Sequence, residues 1–133
     1  ETAIPDDAPP DVVMEQVIAA LHSNSHPERN AGIATFFTIL THDARMGYME
    51  FPTKSLQRFT SQVYNSTLLC LCEPTQVHEP LKEFDKAADY ARFTIKVSHP
   101  DQRKPQYFRF TLIRNTDPAN PRHWLLSRIY NTS

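Results

Sequence analysis

The sequence predicts an α+β domain in which N-terminal helices pack on an antiparallel sheet of about four strands. Apolar residues recur at helical spacing in the first half of the chain and at alternate positions in the second half. Helices that precede a run of strands are typical of α+β domains. A length of 133 residues, 40% of them hydrophobic, fits one domain with its own core.

The first ten residues are predicted to form an extended arm. Residues 1–10 contain three prolines and three acidic residues without an apolar period. Proline also lacks the backbone donor that regular secondary structure uses. We therefore expect a proline-rich N-terminal arm at 1–10 and a single α+β domain at 11–133.

The first predicted helix follows this arm. Val13, Val17 and Leu21 recur at the i, i+4 spacing of a helix. Asp11 precedes them as the expected N-cap, and the helix is expected to stop near Asn24. The result is an amphipathic helix that needs a partner surface.

Two further helices are predicted before the strands. Pro27 begins a segment in which Ile33 and Phe36 lie on one side of a helical period, and this helix is expected to end near His42. Residues 54–71 again place apolar side chains at helical intervals. We predict the third helix there.

The second half of the chain is predicted to be an antiparallel meander. Apolar and polar residues alternate in long segments, which is typical of half-buried strands. Polar connections that contain proline separate these segments. The predicted strands are a short one around 76–81 and three longer ones at 90–97, 106–114 and 122–130.

The formal charge of −1 conceals a strong asymmetry along the chain. Residues 1–50 hold eight acidic and two basic side chains, whereas residues 51–133 hold seven acidic and twelve basic ones. The C-terminal part is therefore suited to an anionic partner. The alternative is that solvated strand faces simply balance the acidic N-terminal helix.

A transmembrane segment is not predicted. The longest uncharged runs have 13 and 14 residues, and a membrane-spanning helix needs about 20 mostly apolar residues. The chain begins at Glu1 without a basic and apolar leader, so we expect any targeting segment to lie outside it. Glycosylation sequons begin at Asn65 and Asn131, and the sequence leaves their use open.

The cysteines, histidines and glycines predict neither a metal nor a cofactor. Cys70 lies among leucines, which favours core packing over a reactive thiolate, and its spacing from Cys72 does not suit a mutual disulfide. Only His22 and His26 have the i, i+4 spacing of helical metal ligands, and helix-breaking residues separate them. Two glycines cannot supply a phosphate-binding loop.

Four short segments of the domain carry a family resemblance. They are Ala20-Leu21-His22-Ser23-Asn24, Asn30-Ala31-Gly32-Ile33-Ala34, Leu56-Gln57-Arg58-Phe59 and a final strand that bears Trp124. The chain resembles the nuclear transport factor 2-like superfamily, and within it an uncharacterised plant and algal chloroplast branch. The resemblance implies helices closed over a strongly curved antiparallel sheet to form a cone, and a chloroplast location. Residues 39–42 and 51–54 depart from that branch, so its loop features do not transfer.

An enzyme is one of the functions that this resemblance allows, because the superfold hosts isomerases and dehydratases as well as transport adaptors and catalytically silent subunits. An isomerase needs a carboxylate base and a donor inside the cone, for which Asp43 with Tyr48 or Asp85 with Tyr90 are the candidates. The strand positions expected to face inward are apolar instead. We therefore predict no catalytic residue.

The predicted binding residues lie on the outer face of the sheet. Strand alternation sends the residues between the apolar ones to the face opposite the core. Aromatic and arginine side chains are the types that carry binding energy at protein contacts. The predicted binding residues are Tyr90, Arg92, Lys96, Tyr107, Arg109 and Arg128. The last strand allows two parities, which send outward either Trp124, Arg128 and Tyr130 or Leu125 and Ile129.

The sequence thus favours a non-enzymatic accessory or assembly subunit without a cofactor. We expect it to dock on a larger protein complex through the outer sheet face and the N-terminal arm, and the resemblance to a chloroplast branch implies a photosynthetic complex. The alternative is a small-molecule-binding protein or isomerase-type enzyme that uses the pocket between helices and sheet. Homo-oligomerisation stays open, and a pI near 6.7 does not favour nucleic acid.

Overall fold

The fold is α+β, as predicted, with helices that precede a four-stranded antiparallel sheet. The computed structural model describes residues 7–25, 28–41, 56–100, 104–116, 118 and 122–131. Within these ranges the elements are α1 (Pro10–His22), α2 (Ala31–Thr38), α3 (Leu56–Tyr64), a 3-10 helix (Thr67–Leu71), β1 (Gln76–Lys86), β2 (Tyr90–Ser98), β3 (Gln106–Arg114) and β4 (Trp124–Asn131).

The strands form the predicted meander, in the order β1-β2-β3-β4. β2 and β3 pair without a register shift, so that Phe93 lies opposite Phe110 and Ile95 opposite Phe108. Buried and accessible positions alternate along β2 and along most of β3. The sheet therefore has an apolar inner face, which belongs to the core, and an outer face that is accessible to solvent.

The core lies between the helices and the inner face of the sheet. Phe59 of α3 packs against two aromatic rings of α2, with its centroid 5.7 Å from that of Phe36 and 5.0 Å from that of Phe37. These rings and the inward residues of the strands form one hydrophobic cluster. The apolar residues that recur at helical spacing and those that alternate in the strands therefore form the same core.

Trp124 is buried in this cluster, with 8% of its surface exposed. Its cross-strand partner is Arg114, whose guanidinium carbon lies 5.9 Å from the centroid of the Trp124 ring. Phe110 and Phe108 lie four and six residues from Arg114 in the same strand. Trp124 therefore occupies the other end of the core from these two rings, rather than a place beside them.

The first helix begins earlier than predicted. α1 starts at Pro10 with Pro9 as its N-cap, so the predicted N-cap at Asp11 is wrong. Proline suits the first helical turn because that turn leaves its backbone donors unpaired. Ala8, which the sequence places in the arm, belongs to the core cluster. The end of the arm is thereby anchored to the domain.

The second helix is shorter than predicted. α2 comprises the eight residues Ala31–Thr38, and the predicted boundaries at Pro27 and His42 both lie outside the described residues. Asn30 precedes α2 with a left-handed backbone, at φ 64°, which asparagine tolerates better than most residues. This turn sets the direction in which α2 leaves α1.

The third predicted helix consists of two shorter elements. α3 ends at Tyr64, and the 3-10 helix begins only after Ser66. Ser66 has an extended backbone, and its hydroxyl accepts a hydrogen bond from the Leu68 amide at 3.2 Å. A serine so placed caps the second element and interrupts the first. The predicted start at residue 54 lies outside the described ranges.

α1 and α2 meet in a close backbone contact at Gly32. A Cβ atom on Gly32 would lie 2.2 Å from the carbonyl oxygen of Ala20, so this position requires glycine. Asn24 is buried beside the contact, and its Oδ1 accepts a hydrogen bond from the Ile33 amide at 2.9 Å. Its Nδ2 donates to Oδ1 of Asn30 at 3.1 Å. Two of the segments that carry the family resemblance therefore hold this helix junction together.

β1 is longer than predicted and extends to Lys86 rather than to residue 81. It is an edge strand whose side chains are mostly exposed, so its sequence lacks the alternation that marks β2 and β3. Its pairing with β2 also contains three register shifts. Pro80 and the many charged residues of β1 are typical of an edge protected against further strand pairing.

A bulge in β4 reverses the side-chain alternation of that strand. Thr111 pairs with Arg128, whereas the next residue of β3 pairs with Leu126, so Ser127 is the extra residue. As a result Leu126 and Ile129 both belong to the core, although side chains three residues apart in a regular strand would point to opposite faces. Arg128 lies on the outer face, as predicted.

Candidate functional site

The six predicted binding residues lie on the outer face of β2, β3 and β4. Their side chains alternate with the buried residues of the same strands. The register places Arg92, Thr111 and Arg128 in one row across the three strands. Arg109 and Tyr130 lie opposite each other in the neighbouring row. Residues from three strands are thereby brought together at the centre of this face.

Three of the six predicted residues line an open groove of about 510 Å³. A groove of this size falls within the range of ordinary ligand sites, although this one is open to solvent. We call it the arginine groove. Its lining residues are Phe84, Arg92, Arg109, Thr111, Ser127, Arg128 and Tyr130.

Each arginine of the groove is held by a different neighbour. Nη1 of Arg92 lies 3.3 Å from Oδ2 of Asp85. The guanidinium carbon of Arg109 lies 5.2 Å from the centroid of the Phe84 ring. These contacts hold two of the three cations towards β1, within reach of the groove.

The third arginine is held from its own strand. Nη1 of Arg128 donates a hydrogen bond to the Tyr130 hydroxyl at 2.7 Å. This bond raises the pKa of Arg128 further above its ordinary value, so its charge is permanent. All three guanidinium groups of the groove are therefore charged at any physiological pH.

The arginine groove carries an excess of positive charge. Among the described residues, the one ion pair within 4.0 Å joins Arg92 to Asp85. The contacts of Arg109 and Arg128 are with an aromatic ring and a hydroxyl, neither of which neutralises a cation. Three guanidinium groups beside one carboxylate give the groove a net charge of about +2, which favours an anionic ligand.

The remaining three predicted residues lie outside the arginine groove. Tyr90 lies under Arg92, with the guanidinium carbon 5.1 Å from its ring centroid. Tyr107 donates a hydrogen bond to Glu79 at 2.5 Å, and that bond raises the pKa of Tyr107. Lys96 lies 5.3 Å from the centroid of the Tyr107 ring. Lys96 and Tyr107 thus form a separate, locally neutralised cluster on the same face.

Four groove residues were not among the predicted binding residues, namely Phe84, Thr111, Ser127 and Tyr130. Phe84 lies beyond the predicted end of the first strand, and its ring is 45% exposed on a strand that is otherwise largely charged. An exposed phenylalanine between glutamate and aspartate is the sequence signal that could have identified it. Ser127 and Tyr130 depend on the bulge in β4, which the sequence does not mark.

The residues considered for isomerase chemistry do not meet inside the described part of the domain. Asp85 and Tyr90 lie on the outer side, where each contacts Arg92. Asp43 and Tyr48 lie outside the described residues. The inward residues of β2 and β3 are apolar, and Asn24 is the one polar or charged residue that is buried in the described ranges.

The cysteines are buried in the core, as predicted. Cys70 and Cys72 are both free and belong to the hydrophobic cluster. Burial raises the pKa of the Cys72 thiol to about 12, and the nearby Glu73 and Cys70 add to the shift. Burial also raises the pKa of Cys70. Both thiols are therefore protonated at neutral pH and unsuited to nucleophilic attack.

The histidine pair considered as metal ligands is only half described. His26 lies outside the described residues, and His22 is half-buried at the end of α1, where burial lowers its pKa. Over the residues described, no group of three or more His, Cys, Asp or Glu side chains is arranged to hold a metal ion. Asn65 and Asn131, the sequon asparagines, are exposed.

No protein-family model, no curated protein and no solved structure matches this chain. Across the described helices, none is both long enough and apolar enough to cross a membrane.

Proposed function

We propose that this domain is a non-enzymatic accessory or assembly subunit that docks on a larger protein complex. The outer sheet face is the principal docking surface, and the N-terminal arm provides a second contact. The expected partner surface is acidic. The resemblance to the chloroplast branch of the nuclear transport factor 2-like superfamily further suggests a plastid location and a photosynthetic complex.

The arginine groove is the observation that carries this proposal. It combines three arginines, of which Arg92 alone is paired with a carboxylate, with the exposed rings of Phe84 and Tyr130, each 45% exposed. Arginine and aromatic residues dominate the binding energy of protein contacts, whereas an ordinary solvated strand face carries mainly Lys, Glu, Ser and Thr. A partner segment with carboxylates and apolar side chains would complement both features.

The arrangement of elements supports a nuclear transport factor 2-like architecture. Helices precede a four-stranded antiparallel meander and cover its inner face, which is the order that the resemblance implies. In such a cone the inner face faces the helices, and the outer face is left for other proteins. Ala8, the last arm residue before the two prolines that open α1, belongs to the core cluster.

The alternative, a ligand pocket or isomerase site between helices and sheet, needs a polar group that faces inward. The described inner-face residues of β2 and β3 are aliphatic or aromatic and fully buried. They offer neither a base nor a hydrogen-bond donor to a substrate. This chemistry fits a packed core better than an active site.

Site-specific photo-crosslinking tests the docking surface. A photoreactive phenylalanine analogue would replace Tyr130 in the groove and, as a control, exposed Gln57 on α3. We expect one discrete adduct from position 130, with a crosslinked peptide rich in Asp or Glu, and its loss in the Arg109→Glu background. Equal adducts from position 57, or an adduct that survives Arg109→Glu, would overturn the proposal.

A further inference from the structure

We propose further that the arginine groove is a receptor for a phosphate monoester on a side chain of the partner protein. This inference rests on the proposed docking function and names the chemical group that the groove recognises. Four features of the groove support it, namely its charge, the kind of cation it uses, the spacing of these cations and its apolar walls.

The charge of the groove matches a dianion. Three guanidinium groups and the carboxylate of Asp85 leave a net charge of about +2. A phosphate monoester carries about −1.5 to −2 at neutral pH, whereas one carboxylate or sulfonate carries −1. Only the phosphate, as a single group, neutralises the groove.

The cations of the groove are all arginines. Guanidinium groups present paired N–H donors that match the oxygen spacing of phosphate, which a lysine ammonium does not. Lys96, the lysine among the predicted binding residues, lies instead beside Tyr107 and outside the groove. The cations that line the groove are therefore of the residue type suited to bidentate recognition of an oxyanion.

The spacing of the arginines suits a single small group. Arg92 and Arg128 flank Thr111 in one row, and neighbouring strands lie about 4.8 Å apart, so their backbones are about 10 Å apart. Arg109 lies two residues from Thr111 along β3. From these positions arginine side chains are long enough to swing from Asp85, Phe84 and Tyr130 towards a ligand over Thr111, and the hydroxyls of Thr111 and Ser127, which also line the groove, can donate hydrogen bonds to it.

The apolar walls of the groove suit the carbon stem of the ligand. The Phe84 ring lies on the β1 side, and the Tyr130 ring lies on β4. A volume of about 510 Å³ holds a phenyl ring together with a phosphate. Phenyl phosphate is therefore a minimal probe, because it tests recognition of the phosphate charge and of the apolar stem in one molecule.

Titration of the full chain with phenyl phosphate, followed by nuclear magnetic resonance of arginine Nε–Hε groups, tests this inference. Benzenesulfonate has the same ring and a tetrahedral monoanion, and benzoate has a planar one. We expect phenyl phosphate to bind at least tenfold more tightly than either, with shifts at Arg92, Arg109 and Arg128. Equal affinity for the three probes, or shifts elsewhere in the domain, would overturn it.

Substitutions at Arg128 distinguish the contribution of its charge to binding from that of its paired N–H donors. Arg128→Gln should weaken phenyl phosphate binding at least tenfold, and Arg128→Lys, which keeps the charge, about fivefold. Arg29→Gln, on the exposed turn before α2, is the matched control and should leave affinity unchanged. Full binding by Arg128→Lys, or an equal loss in Arg29→Gln, would contradict recognition by a guanidinium fork.

Phosphatase treatment of the native complex separates this inference from the proposed function. Release of the domain by phosphatase supports phosphate recognition. If the complex survives phosphatase but is released by charge reversal at Arg92 and Arg109, phosphate recognition is wrong and docking stands. If a 5′-phosphorylated oligonucleotide binds the domain more tightly than phenyl phosphate does, recognition of a protein phosphate is wrong.

Discussion

Replacing Gly32 by alanine is expected to force α1 and α2 apart. The new Cβ would lie 2.2 Å from the carbonyl oxygen of Ala20, 2.7 Å from its carbonyl carbon and 2.9 Å from Cα of Leu21. All three atoms belong to the backbone of α1, so no side chain can move aside to relieve the contact. The helix must shift, and Asn24 would lose its bond to the Ile33 amide as it does so.

The expected loss of unfolding free energy from the steric contact is partly offset by the higher helix propensity of alanine. Overpacking of this kind costs about 1–3 kcal/mol, and alanine in place of glycine within a helix returns about 0.5–1 kcal/mol. The net loss of about 1–2 kcal/mol should lower the thermal midpoint by roughly 3–8 °C in a domain of this size.

Thermal unfolding monitored by circular dichroism measures this change. Ala19→Gly, on the exposed side of α1, is the matched control and should cost about 1 kcal/mol through helix propensity alone. If Gly32→Ala raises the midpoint, as it would in an uncrowded helix, the close contact between α1 and α2 is wrong.

Three further predictions concern the core and the titratable groups. Trp124→Ala should lower the free energy of unfolding by about 3–5 kcal/mol in urea titrations, because the ring is buried, and a neutral effect would contradict its place in the core. The two buried thiols should not react with a disulfide reagent at pH 8 until the protein unfolds, since burial raises their pKa values; rapid labelling of the native protein would refute this. Burial lowers the pKa of His22, so the folded state resists protonation, and the free energy of unfolding should decline as the pH falls below 6.5. His22→Gln should flatten that decline, and an unchanged pH profile would contradict it.

The strands were predictable where one of their faces is buried. In β2 and β3 the alternation of Phe93, Ile95, Phe108 and Phe110 with polar residues identified both strands and their inner face. β1 lies at the edge with most of its side chains in solvent, so no alternation marked its length. Its extent is set by pairing with β2, which is a contact between distant parts of the sequence.

The arginine groove was predictable only in part. Alternation placed Arg92 and Arg109 on the outer face, and both line the groove. Which of the six predicted residues come together depends on cross-strand register and on side-chain contacts, neither of which a single sequence displays. The bulge at Ser127 decides that Arg128 faces outward while Ile129 faces the core. It also brings Tyr130 into the groove.

Co-migration of the native protein with a large complex tests the docking proposal most directly. Wild type would be compared on native gels with the double variant Arg92→Glu/Arg109→Glu. The control is Arg29→Glu/Lys104→Glu, which changes the net charge equally at exposed positions outside the groove. Both double variants exchange exposed residues, so their thermal midpoints should stay within about 2 °C of wild type. We predict that wild type and the control migrate with the complex and that the groove variant migrates alone. Co-migration of the groove variant with the complex would contradict the proposal that the arginine groove is the docking surface.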